Sequence, residues 1–202
     1  MLLTLLALVG VGVIGASGAL AAVRARLDLF GVVVLGMVTA LGGGIARDVL
    51  LAISPPTSLV DWRNLVVSGG SALAVFWLHP HVARLRKAVL LADAVGLGLF
   101  TTASTVTALG HGAPMHTACL IGMIGGIGGG VLRDVLLREI PFVLRKEIYA
   151  LAALPGAMVV TLGARLALPA GPVSLAGAAL ICLVRVLALW RHWNAPIAGA
   201  DR

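Results

Sequence analysis

The ten residues GGGIARDVLL, at positions 42–51, return as GGGVLRDVLL at positions 128–137. Each copy places three glycines, an arginine and an aspartate inside a long apolar run. The same offset of 86 residues relates the flanking sequence, and ten of the sixteen positions in 36–51 are identical to their counterparts in 122–137. A match of this quality indicates an internal duplication of the chain, and we expect the offset to hold without a gap along both copies.

The composition places this duplication in a membrane. Of the 202 residues, 60% are hydrophobic and 11% are charged, and the mean hydropathy is +1.07. Soluble domains carry about 25% charged residues, so this chain has too few charges to cover a water-facing surface. The net charge of +7 does not indicate nucleic-acid binding, because no basic stripe is interleaved with aromatic residues. We predict an all-α integral membrane protein that is not an enzyme and needs no metal or cofactor.

Hydropathy predicts seven transmembrane helices, each close to the length of about 20 residues that a helix needs to cross the hydrocarbon layer. They cover residues 2–22, 29–52, 63–80, 88–109, 114–138, 147–167 and 173–191. The chain, residues 1–202, is then a single membrane domain with repeat one at 1–82, repeat two at 87–168 and a seventh helix at 173–191. Because each repeat contains three helices, the second copy enters the membrane upside down, as in the inverted repeats of transport proteins.

The basic residues predict the orientation of these helices. With the N-terminus outside, ten of the fifteen Lys and Arg residues fall on the cytoplasmic side, and only Arg63 and Arg165 fall on the other. Cytoplasmic loops carry an excess of Lys and Arg, so we expect a multi-pass protein of the cell inner (plasma) membrane with its C-terminus in the cytoplasm. The first apolar run is interpreted as a retained helix, because Arg24 and Arg26 follow it and no basic residue precedes it.

Each glycine triplet lies inside the second helix of its repeat. Glycine costs about 1 kcal/mol relative to alanine within a helix, so three in a row predict a kink or a short unwound stretch. Unwound backbone at membrane depth must be buried in protein or face water. The alternative is close helix packing through small residues. Because Arg-Asp follows both triplets, we expect a pore or a binding site at the glycines.

Charged residues inside a membrane span are candidates for a functional site. Arg47 and Asp48 are adjacent, as are Arg133 and Asp134, and adjacent side chains on a helix point about 100° apart. We therefore expect each of them to find another partner or water, and to form two charged collars that flank a central constriction. A structural ion pair is the alternative.

Other polar side chains within the predicted helices are weaker candidates. Asp93 is expected either to line the pore or to partner a helix N-terminus. The hydroxyl candidates, which either line the pore or bond within their own helices, are Ser17, Thr39, Ser104 and Thr105.

The doubled GGG-x-x-RDVLL, followed after its second copy by REIPFVLRKEIYA at 138–150, resembles the prokaryotic trimeric intracellular cation (TRIC) channels, a family also described as glycine transporters. The resemblance covers nearly the whole chain. It implies a homotrimer in which each protomer has its own pore, lined by the second and fifth helices bent at their glycines. Together with the charged residues above, the pore-lining set is Gly42, Gly43, Gly44, Arg47, Asp48, Asp93, Gly128, Gly129, Gly130, Arg133 and Asp134.

The activity implied by this resemblance is passive conduction of monovalent cations, potassium or sodium ions and chiefly potassium. A membrane transporter of glycine or another small zwitterion is the alternative. Membrane lipids are further expected partners, and we expect Arg145 and Lys146 to contact lipid phosphate.

Overall fold

The structure is a computed structural model that describes residues 2–82, 86–145 and 148–191. This part of the chain forms helices and no strands. Its seven long helices are α1 (Leu2–Arg24), α2 (Leu29–Leu50), α4 (Trp62–Val82), α5 (Arg86–Gly110), α6 (Met115–Leu136), α8 (Ile148–Arg165) and α9 (Ala170–Trp190). Two short helices that hydropathy did not predict are α3 (Thr57–Val60) and α7 (Phe142–Arg145).

Several of these helices are long and apolar enough to cross a membrane. Within the described residues, four helices are both long enough and apolar enough: Thr4–Arg24, Leu29–Leu50, Met115–Leu136 and Ala170–Trp190. Residues Tyr149–Arg165 form a shorter apolar helix. The prediction of an all-helical membrane protein is confirmed, whereas the number of seven membrane crossings stays a prediction.

The helix ends repeat with the same offset as the sequence. Helices α2 and α6 begin and end 86 residues apart. The residues just after five helices have left-handed backbone, with φ of 58° at Arg26, 79° at Gly112, 54° at Ala52, 57° at Arg138 and 53° at Ala167. Each lies in the pair of backbone hydrogen bonds that closes a Schellman turn. Residues 26 and 112, like 52 and 138, are related by the 86-residue offset.

The expected absence of a gap is not fulfilled everywhere. Helix α3 begins at Thr57, and α7 begins at Phe142, only 85 residues later. The first connection has two prolines, Pro55 and Pro56, before its short helix, where the second has Pro141 alone. One residue is therefore absent before α7. The connection from α7 to α8 is one residue longer than the connection from α3 to α4, so the offset is again 86 residues at the start of α8.

The helices pack as two groups of three that meet face to face. Helices α1, α2 and α4 contact one another, as do α5, α6 and α8, while α2 packs on α6 and α1 on α5. Helix α9 lies against α5 and α8. Buried residues of the first group include Leu20, Val32 and Ala72, and a second cluster joins Leu97 of α5 to Ile181 of α9. The domain boundaries predicted from the repeat stay predictions.

The glycine triplets do not break their helices. Helix α2 is continuous through Gly42–Gly44, and α6 is continuous through Gly128–Gly130. The expectation of an unwound stretch at the glycines is therefore wrong, whereas a bend of the two helices stays a prediction. The physical reason is that a backbone amide without a partner in an apolar environment costs several kcal/mol, more than the helix penalty of about 1 kcal/mol for each glycine.

Candidate functional site

The glycines bring α2 and α6 into backbone contact. A β-carbon on Gly43 would overlap the carbonyl oxygen of Gly125, and one on Gly129 would overlap the carbonyl oxygen of Thr39. A β-carbon on Gly128 would lie 3.2 Å from the Cα atom of Gly43. These three glycines serve the close packing that the sequence analysis gave as the alternative.

The other members of the triplets have different surroundings. A β-carbon on Gly42 would meet the side chain of Leu132, and one on Gly44 would meet the hydroxyl of Ser58. Gly130 has more space, because the nearest atom to its added β-carbon is the Tyr149 hydroxyl at 4.0 Å. The three glycines of each triplet therefore have different neighbours.

Two cavities lie on opposite sides of this crossing. The Arg47 cavity has a volume of about 380 Å³ and is lined by residues that include Thr4, Gly44, Arg47 and Thr107. The Arg133 cavity has a volume of about 320 Å³ and is lined by residues that include Arg24, Asp93, Gly130, Arg133, Asp134 and Tyr149. Because Thr4 and Arg24 are at opposite ends of α1, the cavities enter from opposite ends of the bundle. The C-terminal ends of α2 and α6 therefore point in opposite directions, as an inverted repeat requires.

Arg47 and Asp48 form an ion pair, so the expectation that neighbours on a helix would not pair is wrong. Arg47 Nη2 lies 2.6 Å from Asp48 Oδ1, and Arg47 Nε donates to the same oxygen over 2.7 Å. The Cβ atoms of the two residues point about 100° apart, but the arginine side chain is long and flexible enough to bring its guanidinium group to the neighbouring carboxylate. The second carboxylate oxygen of Asp48 accepts from the backbone N–H and the hydroxyl of Thr57, both at 2.7 Å. Asp48 is fully buried and connects the end of α2 to the start of α3.

The second repeat has the same arrangement. Arg133 Nη2 lies 2.7 Å from Asp134 Oδ1, which contradicts the expectation of separate partners here as well. Asp134 Oδ2 accepts from the backbone N–H of Phe142, the first residue of α7, over 2.8 Å. Arg133 Nη1 also donates to the hydroxyl of Ser17 over 3.2 Å, so this guanidinium joins α6 to α1.

Asp93 is a half-buried carboxylate that lines the Arg133 cavity. The Tyr149 hydroxyl, from α8, hydrogen-bonds with it. Of the two roles expected from the sequence, lining a cavity is the one that this geometry supports. Arg24, Arg133, Asp134 and Glu139 also line the cavity, so it contains five charged side chains.

Arg185, on α9, is a buried charge that the sequence analysis did not select. Its side chain is 2% exposed, and its guanidinium carbon lies 4.6 Å from the centre of the Tyr149 ring and 5.6 Å from that of Phe142. Contacts of this kind stabilise a desolvated cation. The signal that would have found it is an arginine within a predicted span.

The predicted hydroxyl candidates separate into two kinds. Thr39 and Thr105 donate to carbonyl oxygens four residues earlier in their own helices, at 2.6 and 2.8 Å, which is the bonding given as the alternative. Ser17 accepts from Arg133, and Ser104 makes no hydrogen bond through its side chain within the described residues. The lipid candidates Lys146 and the side chain of Arg145 lie outside the part that the structure describes.

Two cavities that enter a membrane bundle from opposite ends and stop at a thin crossing are typical of proteins that move ions or small solutes. The sequence matches the family described as glycine transporter in two segments, residues 4–80 and 90–165. These segments begin 86 residues apart, in agreement with the duplication.

Similar proteins cover almost the whole chain. The UPF0126 inner membrane protein YadS of Escherichia coli (strain K12) is 39% identical over 203 residues, a match that covers 100% of this chain and 98% of that protein. The UPF0126 membrane protein SCO4104 of Streptomyces coelicolor is 44% identical over 190 residues, covering 94% of this chain and 87% of that protein.

Solved structures agree in fold and sequence. A structure that concerns conductance through TRIC cation channels matches with a TM-score of 0.91 and 32% identity over 98% of both chains. A TRIC trimeric intracellular cation channel orthologue from Rhodobacter sphaeroides matches with a TM-score of 0.88 and 34% identity over 95% of this chain and 98% of that one. The chain belongs to the TRIC family, the same family that is described as glycine transporter, and it is not an enzyme.

Proposed function

We propose that the chain is a passive channel for monovalent cations, chiefly potassium, with one pore inside each protomer. One observation carries this proposal: two cavities, each with an arginine in its lining, approach each other from opposite ends of the bundle and stop at the α2–α6 crossing. A hydrated vestibule on each side of a short constriction is the geometry of a gated pore. The similar solved structures are TRIC cation channels, which supports a cation as the permeant ion.

The proposed path runs along the faces of α2 and α6. Gly44 and Arg47 line it on one side of the crossing, and Gly130 and Arg133 line it on the other, with Asp93 and Asp134. Backbone contact at the crossing leaves no room for an ion in the described arrangement. Conduction therefore requires α2 and α6 to separate there. The remaining members of the expected set flank this route, since Gly42 meets Leu132 and Asp48 is buried behind Arg47.

The ion pairs favour cations over anions. An unpaired arginine beside a pore raises a barrier to cations, but Arg47 and Arg133 each contact a carboxylate within 2.7 Å. Each pair has no net charge, so neither arginine presents a full positive charge to the path. Asp93 then adds a carboxylate to the Arg133 cavity, where it attracts cations.

Transport of glycine or another zwitterion is the second candidate function. The Arg133 cavity contains side chains of both signs, Arg24 and Arg133 with Asp93 and Glu139. This lining suits a ligand with one carboxylate and one ammonium group. A crossing that closes between two cavities also suits a carrier that opens to one side at a time, so transport has to be measured directly.

We also propose the membrane arrangement and the assembly. The N-terminus lies outside and the C-terminus in the cytoplasm of the inner membrane, and three copies form a homotrimer. A relative bears the name inner membrane protein, and one similar structure is described as a trimeric channel. Large apolar side chains such as Trp62, Val66 and Trp77 are exposed along α4, where lipid or a neighbouring copy would cover them. Contact of Arg145 and Lys146 with lipid phosphate stays part of this proposal.

The experiment that tests the function is electrical. Purified protein in planar bilayers under a KCl gradient should show discrete openings that reverse near the potassium equilibrium potential. Asp93→Asn should reduce the current, whereas Asp28→Asn should not, because it removes an exposed carboxylate that lines neither cavity and keeps a side chain that can cap α2. Electrical silence together with counterflow of labelled glycine would replace the channel by the carrier, and absence of both activities would contradict the proposal.

A further inference from the structure

Helix α5 runs past the crossing from one cavity to the other. Asp93 lines the Arg133 cavity and Thr107 lines the Arg47 cavity, and their separation of 14 positions corresponds to about 21 Å of helix. Ser104 lies eleven residues after Asp93, about three turns, and therefore on the same side of the helix. Thr101 is three residues before Ser104. These two hydroxyls occupy the stretch of α5 between the cavities.

Neither hydroxyl has the partner that such residues normally find. Threonines in helices usually donate to a carbonyl oxygen three or four residues earlier, as Thr102, Thr105 and Thr107 of α5 do over 2.8 to 3.0 Å. Thr101 and Ser104 are fully buried, and within the described residues their hydroxyl oxygens have no hydrogen-bond partner. Buried polar atoms are rarely left in this way, so a partner is missing from this arrangement.

Both hydroxyls point toward the α6 backbone beside the crossing. Ser104 Oγ is the nearest atom to a β-carbon added at Gly125, and Thr101 Oγ1 is the nearest to one added at Gly126. The carbonyl of Gly125 is the same group that contacts Gly43 of α2. The unpartnered oxygens are therefore at the level of the constriction, in notches that exist because α6 has glycine there.

We propose that Thr101 and Ser104 are oxygen ligands for a partly dehydrated monovalent cation as it passes between the cavities. A hydroxyl oxygen has two lone pairs that can replace water around the ion, and its proton can be donated to the water that the ion retains. Separation of α2 and α6 would give both groups the partners that they lack in the closed arrangement. This assignment rests on the proposed channel function and names the binding site within it.

The test compares hydroxyl removal at this level with hydroxyl removal elsewhere on α5. The variant is Thr101→Val combined with Ser104→Ala, which deletes both oxygens with little change in volume. The matched control is Thr102→Val, because Thr102 is equally buried but its methyl group lies against Gly177 of α9. Potassium conductance in planar bilayers should fall about fivefold in the double variant, the factor expected for the loss of one ordinary hydrogen-bond-sized interaction, with an altered potassium-to-sodium permeability ratio. The control should conduct like the wild type.

A melting curve in detergent separates binding from packing. Removal of buried hydroxyls that have no partner should leave the melting temperature unchanged or raise it. Reduced conductance with an undiminished melting temperature supports the site. Unchanged conductance, or a loss of conductance that Thr102→Val shares together with a lower melting temperature, would overturn it. Silence of the wild type would instead contradict the channel function itself, and Ser104→Ala alone serves if the double variant does not assemble.

Discussion

The carbonyl oxygen of Thr39 lies so close to Gly129 that a β-carbon on residue 129 would overlap it. The neighbouring Gly130 has no such contact, although the two residues are adjacent in one triplet. The three glycines are therefore not interchangeable, and the difference between them can be measured.

Gly129→Ala should destabilise the protein, and Gly130→Ala should not. The first change forces α2 and α6 apart and should lower the free energy of unfolding by about 2 kcal/mol, the usual cost of overpacking. The second adds a methyl group into open space and gains up to about 1 kcal/mol from helix propensity. Thermal unfolding in detergent measures both. Equal effects at the two positions would contradict the packing role and favour a flexible glycine segment.

Asp48→Asn should be strongly destabilising. The amide cannot neutralise Arg47, which is 12% exposed, and removal of one member of a buried ion pair costs about 3 kcal/mol. The bond to Thr57 that holds the start of α3 would weaken as well. Denaturant unfolding in detergent gives the magnitude. Asp61→Asn is the matched control, since it removes the same charge from an exposed pair with Arg63, and a loss of similar size there would contradict the argument from burial.

The exposed pair at the start of α4 predicts a pH effect. The side-chain hydrogen bonds from Arg63 to Asp61, together with its charge, hold the pKa of Asp61 below the usual value of 3.8. Because the folded-state pKa is depressed, the stabilisation by this pair is present above pH 3.8 and is lost as the pH falls through the lowered pKa. Arg63→Gln should return the pKa of Asp61 toward 3.8, as carbon NMR of labelled aspartate in nanodiscs would measure. An unchanged pKa would show that Arg63 is not the cause.

Ala52→Gly should stabilise the protein. Ala52 has a φ of 54°, a left-handed conformation that costs a residue with a β-carbon about 1 kcal/mol and costs glycine nothing. The repeat-related turn at 26 and 112 already uses Gly112 in one of its copies. Ala74→Gly on the exposed side of α4 is the control, because there the same substitution should cost about 1 kcal/mol. Melting temperatures that move in the same direction for both would refute this prediction.

The proposed orientation predicts which positions face the outside of the cell. In a background with Cys119→Ala and Cys182→Ala, a membrane-impermeant thiol reagent should label His111→Cys in intact cells and should not label Arg26→Cys. Both positions are exposed, Arg26 just after the C-terminal end of α1 and His111 just after that of α5, and the proposed inverted repeat puts these two ends on opposite sides of the membrane. The reverse labelling pattern would invert the topology, and labelling at both positions would contradict the inverted repeat.

Much of the fold was predictable because long apolar runs in the sequence identify membrane helices. The seven long helices match the hydropathy segments to within a few residues, and the duplicated decapeptides anticipate that α2 and α6 have equal lengths. The short helices α3 and α7 escaped because four residues give no periodic signal. They depend on the distant carboxylates of Asp48 and Asp134.

Only part of the candidate functional site could be predicted from the sequence. The sequence analysis selected the residues around the crossing as a group, and their role in a pore stays a prediction. Their helix propensities were judged one helix at a time. Gly43 could either weaken helix α2 or allow α6 to pack closely against it. Its contact with the backbone of Gly125 decides between these roles, and the local sequence around Gly43 does not reveal this contact. The pairing of Arg47 with Asp48 was missed for a similar reason, since Cβ directions do not limit a long flexible side chain.

The 86-residue relation assigns counterparts to residues of the two cavities, and the members of several pairs differ. Asp93 lines the Arg133 cavity, and its counterpart Ala7 lines the Arg47 cavity. The Arg133 cavity has three carboxylates and two arginines in its lining, whereas the Arg47 cavity has Asp61 and Arg47, so we expect cations to collect more at the Arg133 entrance of the proposed pore. We expect such a pore to rectify: at equal concentrations and equal but opposite voltages, it should pass more current when cations enter from the Asp93 side. The unequal charges of the two linings would then give a direction to a pathway whose two halves arose by duplication.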